Sequence, residues 1–220
     1  MMSFGGVRID AMPDAYPVPT AAMVTGLFGN ALGLTRGETD RLQALQDSLG
    51  IASAVVAPGV RVVDFQTADL SKPHMQGPMW TASGRPFTRE GQNVASKKQL
   101  QWRPYLADAD LHTLVWSRGP SPWTLDEIAA HLIEPVRPLF IGRASCPPVE
   151  QLFQGFVEAP DLETALAEAV GADAADLFLP MEETGMGPDD RLAALYGRRN
   201  WRLNVHAGAE TILVRTRRAP

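Results

Sequence analysis

The order of helical and strand-like segments along this 220-residue chain predicts an α+β sandwich of the ferredoxin kind. Three observations carry that prediction. Apolar residues recur at helical spacing after Pro19, turn β-like from Ile51 onward, and lose all periodicity between Gln66 and Ser96 before strand and helix patterns resume.

Residues Met1 to Pro19 hold Gly5, Gly6, Pro13, Pro17 and Pro19 with little periodicity and read as an irregular loop. Pro19-Thr20 then starts a helix in which Met23, Leu27 and Ala31, with Val24, Phe28 and Leu32, repeat through to Gly33. Gly26 and Gly29 inside it each cost about 1 kcal/mol relative to alanine, so a close neighbour is expected on that face. A second helix, Glu38 to Leu49, sets Leu42, Leu45 and Leu49 on one side and stops at Gly50. Val55-Val56, a Pro58-Gly59 turn, and Val60, Val62 and Val63 fit two short strands. The aperiodic stretch that follows, rich in Gly, Pro and basic residues, is too long for a scaffold loop and reads as a functional loop or hairpin. Strands return at Gln101–Leu106 and Leu111–Trp116. Thr124-Leu-Asp-Glu127 is a capping box opening a helix whose Ile128 and Leu132 face inward before Pro135. Pro138 to Gly142 is expected as a short buried strand, Leu162 to Val170 as a helix, and Trp201–His206 with Thr211–Thr216 as a terminal hairpin about Ala207-Gly208.

The single cysteine, Cys146, excludes an internal disulfide and a zinc knuckle, which fits a reducing cytosol. No apolar run approaches the roughly 20 residues that span a bilayer, and the N-terminus has no secretory pattern, so a soluble cytoplasmic protein without membrane contact is expected. The net charge of −5 is unevenly spread. Glu150 to Asp190 holds eleven acids and no Lys or Arg, which leaves the rest of the chain at +6. Positive charge gathers in Arg85–Arg103 and in Arg191–Arg218, the latter with seven arginines against Glu210. On charge alone these stretches fit ordinary solvated faces as well as surfaces that track a phosphate backbone.

Catalytic and cofactor patterns fail on spacing. Gly26-Leu-Phe-Gly29-Asn-Ala-Leu-Gly33 lacks both the Gly-x-Gly-x-x-Gly of a dinucleotide turn and the Gly-Lys-Ser/Thr of a phosphate loop, so helix packing explains its glycines better. His74, His112, His131 and His206 are scattered singly, without metal-ligand spacing, and no metal or cofactor is expected. Cys146, followed by two prolines, reads as a packed thiol. A metal-independent ribonuclease needs only a base and a cation, for instance Tyr105 or His74 with Lys97 or Lys98, a set that almost any sequence supplies.

Several separated segments occur in an order that resembles the CRISPR-associated Cas-five family, of the CasD type. Met1-Met-Ser-Phe-Gly5 resembles that family's Pro-x-Gln-Ser-Trp-Gly, and Pro19-Thr20 followed by Gly26-Leu-Phe-Gly29-Asn-Ala-Leu-Gly33 is similar to its proline, threonine, Gly-Leu-Leu-Gly-x-x-Leu-Gly helix. Leu42-Gln-Ala-Leu45 lies in the next helix. Val63-Asp-Phe-Gln-Thr67 resembles Arg-Asp-Tyr-His-Thr, and Trp102-Arg-Pro-Tyr-Leu106 with Asp108 resembles Arg-Glu-Tyr-Leu-x-Asp. Pro138-Leu-Phe-Ile-Gly-Arg-Ala-Ser-Cys-Pro147 is similar to a proline, aromatic, Leu-Gly-Arg-x-Ser-Cys-Pro run, and Arg199-Asn-Trp201 with Gly208 to a later tryptophan-bearing strand. The family opens with an apolar strand ahead of its first motif, so the expectation is a start assigned downstream of the true one, the alternative being a loss that partner packing makes good. Phe4 replaces a tryptophan and Phe65-Gln66 a Tyr-His pair.

The resemblance implies a modified ferredoxin-like fold, of the RRM or RAMP type, with a protruding β-hairpin thumb and a small C-terminal extension. The expected division is residues 1–146, with the thumb at about 67–101, and 147–220, with no appended nuclease. It also implies a non-catalytic subunit of a type I-E Cascade complex that caps the 5′ handle of the crRNA beside a backbone subunit and a large subunit. Bent single-stranded RNA is gripped by cations on phosphates, aromatics on base faces and small polar groups on edges and 2′-hydroxyls. Lys97, Lys98, Gln99, Gln101, Trp102 and Arg103 offer that mixture at the thumb base. Thr20, Thr25, Asn30, Asp64, Phe65, Gln66, Thr67, Arg143 and Ser145 are the expected handle pocket. Two other classes stand beside this one: an endoribonuclease that cuts the repeat, as type I-C relatives do, and a protein-interaction subunit whose basic stretches meet an acidic neighbour.

Overall fold

A computed structural model describes residues 1–5, 15–69, 79–80, 86–87, 98–171 and 175–217. Helix α1 (Ala21–Ala31) starts where Thr20 caps it and packs on α2 (Thr39–Ser48). A Cβ on Gly29 would sit 2.7 Å from Leu42 Cδ2, which is the close neighbour the helix glycines predict, whereas one on Gly26 would meet the Trp201 ring at an ordinary 3.9 Å. Strand β1 (Leu49–Ala57) follows directly and turns at Pro58-Gly59 into β2 (Val60–Asp69). Two-residue strands β3 (Met79–Trp80) and β4 (Pro86–Phe87) pair with each other. Then come β5 (Lys98–Ala107), β6 (Asp110–Ser117), and α3 (Leu125–Ile133), whose capping box between Thr124 and Glu127 is complete. The remaining elements are α4 (Leu162–Val170), β7 (Ala175–Pro180), a 3-10 turn (Met181–Glu183), β8 (Arg191–Leu195), β9 (Arg199–Asn200), β10 (Val205–His206) and β11 (Glu210–Arg217).

Five strands form one antiparallel sheet in the order β6-β1-β7-β11-β8. Its two faces follow from period-2 alternation. Ala52 and Ala54 of β1, Leu177 and Leu179 of β7 and Leu213 of β11 point to α4, where Leu166 and Val170 cover them. The alternate residues point the other way. Leu49 and Ile51 meet Val24, Phe28, Leu45 and Ile128 of the three N-terminal helices, and Val55, Ile212 and Val214 meet Val18 and Leu195. Gly50 lies opposite Trp116 on β6, and a Cβ there would be 2.2 Å from the indole ring, so only glycine fits under that ring.

The β1–β6 pair continues past the edge of the sheet as a ribbon. β2 and β5 pair from Val60↔Ala107 to Asp69↔Lys98 and, among the described residues, with no other strand. A Cβ on Gly59, whose φ is +67°, would lie 2.3 Å from the Ala107 carbonyl oxygen, so the bend between sheet and ribbon requires glycine. The projection begins at Val60, seven residues ahead of the expected thumb, because the β-branched Val60, Val62 and Val63 carry the strand unbroken into Phe65.

Four expectations are corrected. The two strands about Pro58-Gly59 are nine and ten residues long rather than short. Pro138–Gly142 is a turn instead of a strand: Ile141 N–H donates to Cys146 O (2.8 Å), Cys146 N–H to Arg143 O (2.9 Å), and Gly142 adopts φ +90°. The acidic segment, expected to carry one helix, supplies β7 as well as α4, and β7 sits at the centre of the sheet. β11 pairs with β8 and β7 instead of forming a terminal hairpin with Trp201–His206. That segment is drawn away because Gln46 and Gln43 on α2 take its backbone: Arg199 N–H donates to Gln46 Oε1 (3.1 Å), Gln46 Nε2 to Arg199 O (2.9 Å), and Trp201 N–H to Gln43 Oε1 (3.0 Å).

Candidate functional site

Antiparallel pairing puts directly opposed residues on the same face of the ribbon. The register is Asp64↔Arg103, Phe65↔Trp102, Gln66↔Gln101 and Thr67↔Leu100. Two predicted segments that lie more than thirty residues apart in sequence are thereby brought side by side. One face carries Val63, Phe65, Leu100 and Trp102, with Phe65 and Trp102 in tilted contact at 5.2 Å between ring centroids. Phe65 remains 52% exposed and Leu100 42%, so this aromatic surface stands open to solvent. The opposite face carries Asp64, Gln66, Gln101 and Arg103 as polar neighbours. Gln66 Nε2 donates to Asp64 Oδ2 at 2.6 Å and Arg103 Nη2 to Gln101 Oε1 at 3.1 Å, each bond bridging two residues along one strand.

The ribbon's root is fastened by two other chain segments. Met2 forms an antiparallel bridge with Leu106, Ser3 Oγ donates to Pro104 O (3.1 Å), and Ser3 N–H donates to Ile141 O (3.1 Å). A Cβ on Gly142 would lie 1.8 Å from Ser3 O, which explains a glycine at that turn. Tyr105 is 5% exposed and shares a 3.3 Å hydrogen bond with Ser145. The Arg143 guanidinium lies 5.0 Å from the Tyr105 ring centroid, a cation–π distance. Hydrogen bonding to Ser145, and then to Arg143, holds the Tyr105 hydroxyl below the usual phenol range. Arg143 Nη1 is buried without a hydrogen-bond partner among the described residues, an uncompensated donor at the foot of the ribbon.

The remaining predicted residues divide. Asn30 donates to Pro138 O (2.6 Å) and accepts from Arg137 Nε (2.8 Å), tying the end of α1 to the start of the turn that carries Arg143. Thr20 and Thr25 are 2% and 1% exposed, and Thr20 accepts from Met23 N–H as the cap of α1, so both are inside the body and away from the exposed surface. Lys98 and Gln99 lie in β5 opposite Asp69 and Ala68. Lys97 lies outside the described residues. Three residues outside the predicted set join this region: Val63 and Leu100, which extend the aromatic face, and Tyr105, which links the ribbon to Arg143. Val63 and Tyr105 lie inside motifs visible in the sequence, whereas Leu100 is identified only by the register, opposite Thr67.

A family model described as "CRISPR-associated protein (Cas_Cas5)" matches residues 1–211. The chain belongs to the Cas5 family. This Cas5 chain is 29% identical over 186 residues to "CRISPR system Cascade subunit CasD" of Escherichia coli (strain K12), covering 79% of this chain and 75% of that one. Its fold matches a solved chain described as "CRISPR RNA-guided surveillance complex", with a TM-score of 0.67, 24% identity, and coverage of 100% of this chain and 87% of the other. A second, "Crystal structure of Cas protein", matches with a TM-score of 0.58 and 24% identity over 100% of this chain and 90% of that one. The modified ferredoxin-like α+β class expected for a Cas5 protein is therefore the class of this fold.

Proposed function

We propose that this chain is a non-catalytic subunit of a type I-E-like CRISPR Cascade effector complex, serving antiviral defence, that holds the 5′ handle of the crRNA on the ribbon and at its root. Family membership and the likeness to a Cascade subunit support the assembly. The observation that carries RNA binding is the register: an exposed Phe65 paired with a half-buried Trp102 backs onto a polar face of Asp64, Gln66, Gln101 and Arg103. Aromatic rings on one side supply stacking platforms for unpaired bases, and guanidinium and amide groups on the other suit phosphates and 2′-hydroxyls. Arg143, with its buried unpaired donor among the described residues, offers a further phosphate contact beside Ser145. A backbone subunit and the large subunit are the expected protein neighbours.

Stacking on an aromatic side chain is worth about 1–3 kcal/mol per base, so Phe65→Ala with Trp102→Ala should weaken crRNA binding roughly tenfold or more while the body stays folded. Equilibrium binding of labelled crRNA, with circular dichroism as the folding control, measures this. Unchanged affinity would remove the ribbon from the interface. Tyr105 is buried against Ser145, which suits a packing residue better than a base for strand cleavage. Incubation with repeat RNA in EDTA checks the enzymatic alternative, and intact RNA is the expected result.

A further inference from the structure

The small β9–β10 excursion between β8 and β11 is bonded to α2, which runs into β1 at Leu49, whereas the ribbon leaves from Ala57 at the other end of that strand. Its backbone is unusually well fixed. Gln46, 2% exposed, holds the peptide of Arg199 through both its donor and its acceptor and also accepts from Trp201 Nε1 (3.2 Å). The Arg199 guanidinium is 5.3 Å from the Trp201 ring centroid and donates to Asn204. Stacking of this kind pre-orients a planar cation. A cavity of about 270 Å³ opens here between α2 and the excursion, with Arg199, Asn200 and Arg202 in its wall.

Local charges do not balance. Asp40 is taken by Arg202 (2.6 Å), Asp47 and Glu210 by Arg198 (2.6 and 3.1 Å), and Glu38 by Arg41 (2.6 Å). Each of these four carboxylates is thus engaged, and Arg36 and Arg199 have no carboxylate partner among the described residues. Burial disfavours the charged form of Arg199, and the neighbouring charge of Arg36 adds to the penalty. Arg199 Nε is buried without a hydrogen-bond partner among the described residues. A half-buried guanidinium that is stacked on a tryptophan, lines a cavity and has no carboxylate partner among the described residues is an arrangement that a bound anion stabilises.

We propose that Arg199, set on the Gln46-anchored turn over Trp201, forms with Arg36 of the α1–α2 loop a second seat for a phosphodiester of the nucleic acid, separate from the ribbon. The seat rests on the reading that this chain binds RNA and adds a point of attachment at the opposite end of β1 from the ribbon. Asn200 and Arg202 flank the seat and touch the strand on either side of that phosphate.

The test uses the full chain and fluorescein-labelled crRNA carrying its repeat-derived handle, with affinity measured across a salt series. Arg36→Gln, Arg199→Gln and their combination are compared with the ribbon variant Phe65→Ala/Trp102→Ala. Removing one arginine from a phosphate should reduce the slope of log affinity against log salt by about 0.7, as for single strands, while removing the two ribbon aromatics lowers affinity without changing the slope. Arg36 is exposed, so Arg36→Gln reports on the seat even if Arg199→Gln perturbs the turn. An unchanged slope and affinity in folded Arg36→Gln and Arg199→Gln, with the ribbon variant weakened, overturns the seat and leaves the ribbon reading standing. The reverse pattern upholds the seat and removes the ribbon. A wild-type chain with no measurable crRNA affinity overturns both.

Discussion

Asp190 shows how one charged side chain can hold several segments together. Its side chain is 2% exposed, it accepts from Arg215 Nε (2.8 Å) and Nη2 (2.5 Å) and from Gly187 N–H (2.6 Å), and the same Arg215 reaches Glu163 on α4. The Arg215 hydrogen bond is the main reason that the Asp190 carboxyl titrates at about 2 rather than at its ordinary 3.8. A carboxyl whose pKa is lowered by folding contributes stability that is complete above its unfolded value and is lost as pH falls through the folded one. Asp190→Asn should therefore melt at a lower temperature than the wild type at neutral pH, and the two curves should converge between about pH 4 and pH 2. Thermal melts across that range check this, and a gap that persists at the acid end would place the stabilisation elsewhere. At Gly50 the argument is steric. A methyl group 2.2 Å from the Trp116 ring cannot be absorbed by a far side-chain end, so Gly50→Ala should cost roughly 1–3 kcal/mol in urea unfolding, whereas the same change at Gly119, with nothing within 4 Å, should be close to neutral.

At the scale of elements, the helices are legible because their ends are written in side chains. Thr20 caps α1, Asp161 caps α4, and Thr124 with Glu127 closes the box on α3, in each case through bonds of a side chain to a backbone only three residues away. Thr124→Ala removes one half of that box and should lower stability by about 1 kcal/mol, measured by denaturant midpoint at unchanged slope. Strands are harder to read, since a strand's identity depends on a partner distant in sequence. Ala175-Asp-Leu-Phe-Leu-Pro180 alternates correctly for β7, yet its six residues lie in a segment defined by eleven acids, and only pairing with β1 and β11 makes it a central strand. Pro138–Gly142 is apolar enough for a strand, but its backbone-to-backbone bonds outside itself go only to Ser3 and Cys146 among the described residues, so it closes as a turn. The candidate site shows the same limit. Asp64–Thr67 and Gln101–Arg103 are each identifiable from local residue types, while the register that makes Phe65 and Trp102 one surface is not. Thr20 and Thr25 illustrate the converse: their hydroxyls suit a ligand equally well in sequence, and the fold buries both, Thr20 as the cap of α1 and Thr25 within it.

At the scale of the whole molecule, the acidic segment and the basic remainder are two charge regimes built on one core. Leu177 and Leu179 on β7, Leu213 on β11, and Leu166 and Val170 on α4 are all at most 6% exposed, and all lie beyond Cys146 while covering Ala52 and Ala54 of β1. Burying each such side chain contributes about 1.5–3 kcal/mol, so removing the five would withdraw about as much as the whole net stability of an ordinary domain, roughly 5–15 kcal/mol. Removing them would also leave β1 with a bare edge and a bare face, since β7 is its second neighbour in the sheet. A chain ending at Cys146 is therefore expected to show no cooperative melt and poor amide dispersion by NMR, although it retains the ribbon and every candidate residue for the crRNA handle. A cooperative transition in that fragment would instead establish residues 1–146 as a self-standing domain, with the acidic segment an addition to it. The first outcome makes the acidic segment the structural support that holds the β1–β6 pair, and through it the ribbon, at a fixed angle to the body.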